Sequence, residues 1–96
     1  MSAPAEARPF TRTDRREAEL HQVAAGNRHH WEGCWTDRLG EPVIKHASAA
    51  MRELGEAGLT ELEPGPVAAH YYVRLTAEGT ATLHAWTRPR RTWTKR

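Results

Sequence analysis

Apolar positions along the chain fall into three helical stretches and two extended ones. Leu20, Val23 and Ala24 repeat at the i, i+3, i+4 spacing of one helix face, with Ala18 a weaker member. Thr13 precedes them as a capping residue, and Asp14, Glu17 and Glu19 stand early in the segment, where a helix dipole favours acids. The pattern predicts a helix over residues 14–25, ended by Gly26-Asn27.

A second helical period runs over residues 43–57, with Pro42 suited to the first position because its missing N–H costs nothing there. With Ala47 at the centre and an advance of about 100° per residue, Val43, Ile44, Ala50, Met51 and Leu54 lie within about 60° of it. Lys45, Ala49, Arg52 and Glu56 fall on the far side, with His46 and Ser48 on the flanks. Two glycines interrupt the run LGEAGLTEL at 54–62. Gly55 reads as tolerated inside the helix at a cost of about 1 kcal/mol, near the edge of the apolar face where a missing side chain permits close packing. Gly58 occupies the place of a left-handed C′ residue, and Leu59 after it is set to pack on Leu54.

Residues 28–37, RHHWEGCWTD, support two readings. Aromatic and β-branched content favours a strand or a hairpin around Glu32-Gly33. A single strand would put His29, Trp31, Gly33 and Trp35 on one face, and a helix would also align Trp31 with Trp35. Residues 38–41 form a turn. Past Gly58, Thr60 and Leu62 predict a short strand, Pro64-Gly65-Pro66 a tight turn, and residues 68–75 a second strand. In that strand His70, Tyr72 and Arg74 oppose Ala69, Tyr71, Val73 and Leu75. Thr76 caps a last helix over 77–86 that buries Leu83 and Trp86, and Pro89 ends it. There are no internal repeats.

A chain of 96 residues suits one small domain. Residues 1–12 are expected to be a flexible lead-in, 13–87 the folded domain and 88–96 a basic tail. No stretch reaches the roughly 20 apolar residues of a membrane span, and residues 1–10 lack the apolar core of a secretory signal. The one cysteine, Cys34, excludes an intrachain disulfide and fits a reducing, cytoplasmic setting. The net charge of +2 is unevenly spread. Residues 88–96, RPRRTWTKR, carry five positive charges and no negative one, whereas residues 18–87 carry five positive and nine negative. Such a tail attracts phosphate backbones or acidic surfaces.

The order helix, strand or hairpin, helix, strand, turn, strand, helix contains a helix feeding directly into a two-stranded ribbon. MRELGEAGLTEL followed by YYVRLTAEGTATLHAW resembles the recognition helix, wing and closing helix of winged helix-turn-helix regulators of the MarR and PadR type, a pattern shared by small actinobacterial and phage or plasmid proteins. Leu54, Ala57-Gly58-Leu59, Val73, Leu75-Thr76 and Gly79 carry the resemblance, which covers residues 43–86. It implies an α+β fold, a small and mainly helical winged helix with a C-terminal two-stranded wing and a closing helix. It also implies double-stranded DNA as partner, often bound by a homodimer, and a role as a transcriptional regulator or mobile-element accessory factor without enzymatic activity or cofactor. Carried over by position, Lys45, His46, Ser48, Ala49 and Arg52 would face the major groove, and Pro64, Gly65 and Pro66 would form the wing tip. Arg88, Arg90 and Arg91 would add backbone contacts. The family's basic wing is not reproduced, since Glu61 and Glu63 flank the turn, and this opens the alternative of a winged helix that contacts protein instead of DNA.

Other chemistry finds little footing. His29, His30 and Cys34 are close in sequence, but structural zinc usually takes four ligands at recognisable spacing. Adjacent histidines on a strand also point to opposite faces. Cys34 reads as a small buried side chain rather than a nucleophile, and Trp31, Trp35 and Trp86 as core. Trp93 lies among tail cations, where it could stack on bases or a partner. No glycine-rich phosphate loop, paired-carboxylate site or Ser-His-Asp arrangement stands out.

Overall fold

A computed structural model describes residues 10–87. The element order is α1 (Asp14–Ala24), β1 (Arg28–Trp31), β2 (Cys34–Asp37), α2 (Lys45–Glu56), β3 (Thr60–Pro64), β4 (His70–Leu75) and α3 (Ala77–Thr87). The fold is α+β, with three helices on one antiparallel sheet of strand order β2-β1-β4-β3. The C-terminal ribbon β3–β4 is therefore not free-standing: β1 pairs with β4, with His29 opposite Tyr72 and Trp31 opposite His70.

Local chemistry sets the helix boundaries. The Thr13 side chain accepts the Arg16 N–H at 3.0 Å and caps α1. Gly58 (φ 81°) ends α2: its N–H donates to the Gly55 carbonyl and the Leu59 N–H to that of Leu54, both at 3.0 Å. This is the six-to-one, five-to-two Schellman closure, and both Leu54 and Leu59 are buried. Gly26 and Asn27 close α1 in the same way onto Val23 and Gln22. Thr76 caps α3 by accepting the Gly79 N–H at 3.0 Å. Gly79 packs so closely on the Leu59 carbonyl that a Cβ would overlap it, which brings α3 against the end of α2.

The core joins Leu20 and Val23 of α1, Met51 and Leu54 of α2, Leu59, and Val73 of β4. Phe10, Trp35, Leu75, Leu83 and Trp86 surround it. Each such side chain contributes on the order of 1.5–3 kcal/mol when fully buried. Beneath α1, the Glu19 carboxylate accepts two hydrogen bonds from Arg28 of β1.

Of the two readings of residues 28–37 the hairpin holds, while several other expectations need correction. Residues 28–37 are a hairpin whose turn, Glu32 (φ 51°) and Gly33 (φ 84°), has the two positive angles of a type I′ turn. The hairpin sets His30 opposite Trp35, so Trp35 faces the helices while Trp31 lies on the outer face of the sheet with His29. Trp31 is thus not a core residue. Cys34 is exposed rather than buried, because it begins β2 on that outer face. Pro42 does not open α2. It bridges Thr36, the Val43 N–H donates to the Trp35 carbonyl at 3.1 Å, and the helix starts at Lys45. Ile44 consequently caps α2 without a side-chain bond and is 60% exposed instead of joining the apolar face. Gly55 is exposed and meets only the Thr60 hydroxyl at ordinary contact distance, so no close packing demands it.

The free sheet edge is β3, where Glu61, Leu62 and Glu63 are exposed. The opposite edge, β2, is partly covered by residues 41–43 through the bonds that Asp37 and Trp35 make with them.

Candidate nucleic-acid interface

Three sectors divide α2. Ala47, Ala50, Met51 and Leu54 are buried. His46, Ala49 and Glu53 line a groove of about 310 Å³ that Thr13, Arg15 and Arg16 of the α1 entry complete. Lys45, Ser48 and Arg52 form the third stripe, with Lys45 and Arg52 exposed and Ser48 half-buried. Of the five α2 positions expected at the interface, three therefore look outward and two, His46 and Ala49, face the groove beside α1.

Most cations of the described chain are already matched by carboxylates. Arg12 meets Glu17 at 2.6 Å, Arg16 meets Glu53 at 3.0 Å, and Arg28 meets Glu19 at 2.6 Å. Arg74 meets Glu63 at 2.6 Å, which raises the already high pKa of its guanidinium, and Arg52 approaches Glu56 at 3.7 Å. Among the described residues, Arg15, Arg38 and Lys45 have no carboxylate partner within salt-bridge distance. Arg15 and Lys45 belong to the neighbourhood of His46. Lys45 also stands in the first turn of α2, where no acid balances it and the helix dipole disfavours a cation.

Phe10 and the last turn of α3 approach the same place. Phe10 stacks on Trp86 with centroids 6.3 Å apart and planes 14° from parallel. The Arg16 guanidinium lies 4.0 Å over the Phe10 ring while its Nε donates to Glu53 of α2. The last turn of α3 thus sits beside the entry to α1, next to the groove that His46 lines. Arg88, Arg90, Arg91 and Trp93, and all but residues 10–12 of the lead-in, lie outside the described residues.

At the β3–β4 turn, Pro64 and Pro66 are exposed, but Gly65 is turned inward against His70. Glu61 is exposed, and Glu63 is held by Arg74. A region that the sequence did not single out lies on the outer sheet face, where His29, Trp31, His70 and Tyr72 meet in one aromatic cluster. The alternation put His29 with Trp31 and His70 with Tyr72 on shared faces, although Trp31 was expected in the core. That β1 lies next to β4 depends on long-range pairing, which no local pattern encodes.

Among the described residues no group of three or more His, Cys, Asp or Glu side chains is arranged to hold a metal ion, and no helix is long and apolar enough to cross a membrane. No family model matches the chain, and no curated protein or solved structure matches it.

Proposed function

We propose that the protein binds double-stranded DNA as a small winged-helix factor, with α2 in the major groove and the β3–β4 ribbon beside it. In this reading it is a transcriptional regulator or a mobile-element accessory factor in the cytoplasm, acting by occupying a site and without catalysis. The observation that carries the reading is the outward stripe Lys45–Ser48–Arg52, whose Lys45 has no carboxylate partner among the described residues, beside a groove lined by the equally unmatched Arg15. The direct passage from α2 through Gly58 into the ribbon supports it, as does the Phe10–Trp86 stack that sets the last turn of α3 beside the entry to α1. Lys45 and Arg52 would contact guanine edges or phosphates, Ser48 would add a less specific bond, and the tail would neutralise backbone charge.

The segment before α2 is the β1–β2 hairpin, where a helix-turn-helix would supply a helix. Recognition in this reading therefore depends on α2, the α1 entry and the tail. The acidic ribbon favours a second reading, in which the β3–β4 hairpin contacts a basic protein partner and DNA is not bound.

Binding to double-stranded DNA across a salt series decides between them, with Lys45→Ala, Arg52→Ala and a truncation after Thr87. DNA binding predicts a steep loss of affinity with salt and a shallower slope for each variant, by roughly one unit per lost phosphate contact. Absence of binding at low salt, or equal binding by every variant, rejects the DNA reading.

A further inference from the structure

The outer face of the sheet holds a cluster that DNA binding does not use. His70 Nε2 and His29 Nδ1 lie 3.0 Å apart, the distance of one N–H···N hydrogen bond. His70 is 7% exposed, with Trp31 stacked on its ring at 4.5 Å and Tyr72 edge-on at 5.2 Å. Its other nitrogen, Nδ1, is buried without a hydrogen-bond partner and lies under Gly65, so close that a Cβ there would be 2.6 Å away.

The same histidine fastens the β3–β4 loop through its backbone. The Gly65 N–H donates to the His70 carbonyl at 2.7 Å, and the His70 N–H donates to that of Val67 at 3.2 Å. Next to it the Glu32 N–H donates to the Ala69 carbonyl at 2.9 Å, joining the tips of the two hairpins. Glu32 (φ 51°) and Ala69 (φ 63°) are the two non-glycine residues with left-handed backbone among those described. Residues in that region persist only where the surroundings hold them. The junction is thus strained and ties the 65–69 loop to the β1–β2 turn beside His70.

We infer that the His29–His70 pair is a proton-operated latch that holds the 65–69 loop against the sheet at neutral pH and releases it in mild acid. When both rings are neutral, one donates and the other accepts. A first added proton keeps the bond as N⁺–H···N. A second sets two N–H groups against each other, with two positive charges on rings whose centroids are 5.0 Å apart. His70 is buried, and the Gly65 contact leaves it little room to turn away.

The charged and titratable surroundings do not offset this. β4 adds Arg74, lying over Tyr72, and β3 adds Glu61 and Glu63, the latter taken up by Arg74. β2 carries Cys34 and Asp37, the β1–β2 turn Glu32, and residues 65–69 no titratable side chain. Burial first, then His70 and Arg74, hold His29 below its ordinary 6.5, against a smaller opposing pull from Asp37. A histidine held low in the closed state takes up its proton more readily when the loop opens. Opening is therefore favoured as pH falls below 6.5.

The latch does not depend on the DNA reading, and it is tested on the full chain without any ligand. Imidazole resonances and amide hydrogen exchange are followed by NMR from about pH 7.5 to about pH 5, for the native protein, His29→Gln and His70→Gln. The latch predicts that the pair takes up its two protons in two separated steps. It predicts that the Gly65 and His70 amides lose protection by roughly tenfold or more after correction for intrinsic rates, while the Leu59 and Thr76 amides keep theirs. In His29→Gln and His70→Gln the pH dependence of loop protection disappears. The latch is overturned if the pair takes up both protons in a single step, or if the loop amides stay protected once both rings are charged. Continued pH dependence in a folded variant overturns it as well. If neither variant folds, the native titration and exchange decide alone.

Discussion

Arg28 holds the carboxylate of Glu19 with two donors, Nε at 2.6 Å to one oxygen and an Nη at 3.2 Å to the other. Glu19 is 1% exposed, so this α1–β1 pair lies in the interior rather than on the surface. Removing one partner strands the other charge. Arg28→Met is expected to destabilise the fold by about 3–5 kcal/mol in urea unfolding, and the double change Glu19→Leu with Arg28→Met to recover most of that loss. A loss for Arg28→Met near zero would show the pair to be solvated.

Gly79 and Gly55 make opposite predictions for the same substitution. Gly79→Ala drives a Cβ into the Leu59 carbonyl and is expected to cost about 1–3 kcal/mol, read as a lower thermal midpoint. Gly55→Ala adds a methyl group at ordinary contact distance from Thr60 in an unstrained helix position, and is expected to stabilise by about 0.5–1 kcal/mol. A common sign for the two would contradict the packing described.

Asp37 organises the turn that returns the chain along β2. Its Oδ1 accepts the N–H groups of Leu39 and Glu41, and hydrogen bonding, led by Glu41, holds its carboxyl below the ordinary 3.8. A depressed carboxylate contributes stability that is present above its unfolded value and lost as pH falls through the folded one. Acid denaturation of Asp37→Asn should therefore show a weaker loss of stability below 3.8 than the native chain. Superimposable acid profiles would remove Asp37 from that role.

Arg15 and Arg38 allow a matched comparison, since neither has a carboxylate partner among the described residues. Arg15 lines the groove with His46, whereas Arg38 borders a different groove with Arg28 and Asp37. Charge reversal at Arg15 is expected to weaken DNA binding by at least about tenfold at low salt, and Arg38→Glu to have much less effect. Equal losses in a gel-shift titration would indicate attraction by net charge alone.

Much of the helical framework was legible because its signals are local. Thr13, Gly26, Gly58 and Thr76 each act on backbone groups within four residues, so the sequence around them specifies the boundary. Pro42 misled because a residue fit for a helix start is equally fit for a sheet edge, and only the distant Thr36 selects between them. Trp31 and Trp35 share a face in any single strand or helix. The type I′ turn at Glu32-Gly33 separates them, and it was half concealed by a glutamate in a left-handed position. For the candidate interface, the outward stripe of α2 followed from periodicity. The placing of Arg15 beside α2 did not, since it depends on how α1 crosses α2 and on which cations find carboxylates in the folded chain. The histidine pair was hidden for a similar reason, with 41 residues separating its members.

The β3 edge has a consequence for how the molecule behaves in company. An unpaired strand is a template on which another chain can extend the sheet. Two copies meeting antiparallel about Leu62 would bring Glu61 of one against Glu63 of the other, twice over, and like charges directly opposite oppose pairing. Pro64 removes a donor at the end of the same strand. Glu61 and Glu63, which the DNA reading leaves without a role, would thus have a use that needs no ligand. They oppose the pairing of two copies through the β3 edge, most directly at Glu61, since Glu63 is shared with Arg74.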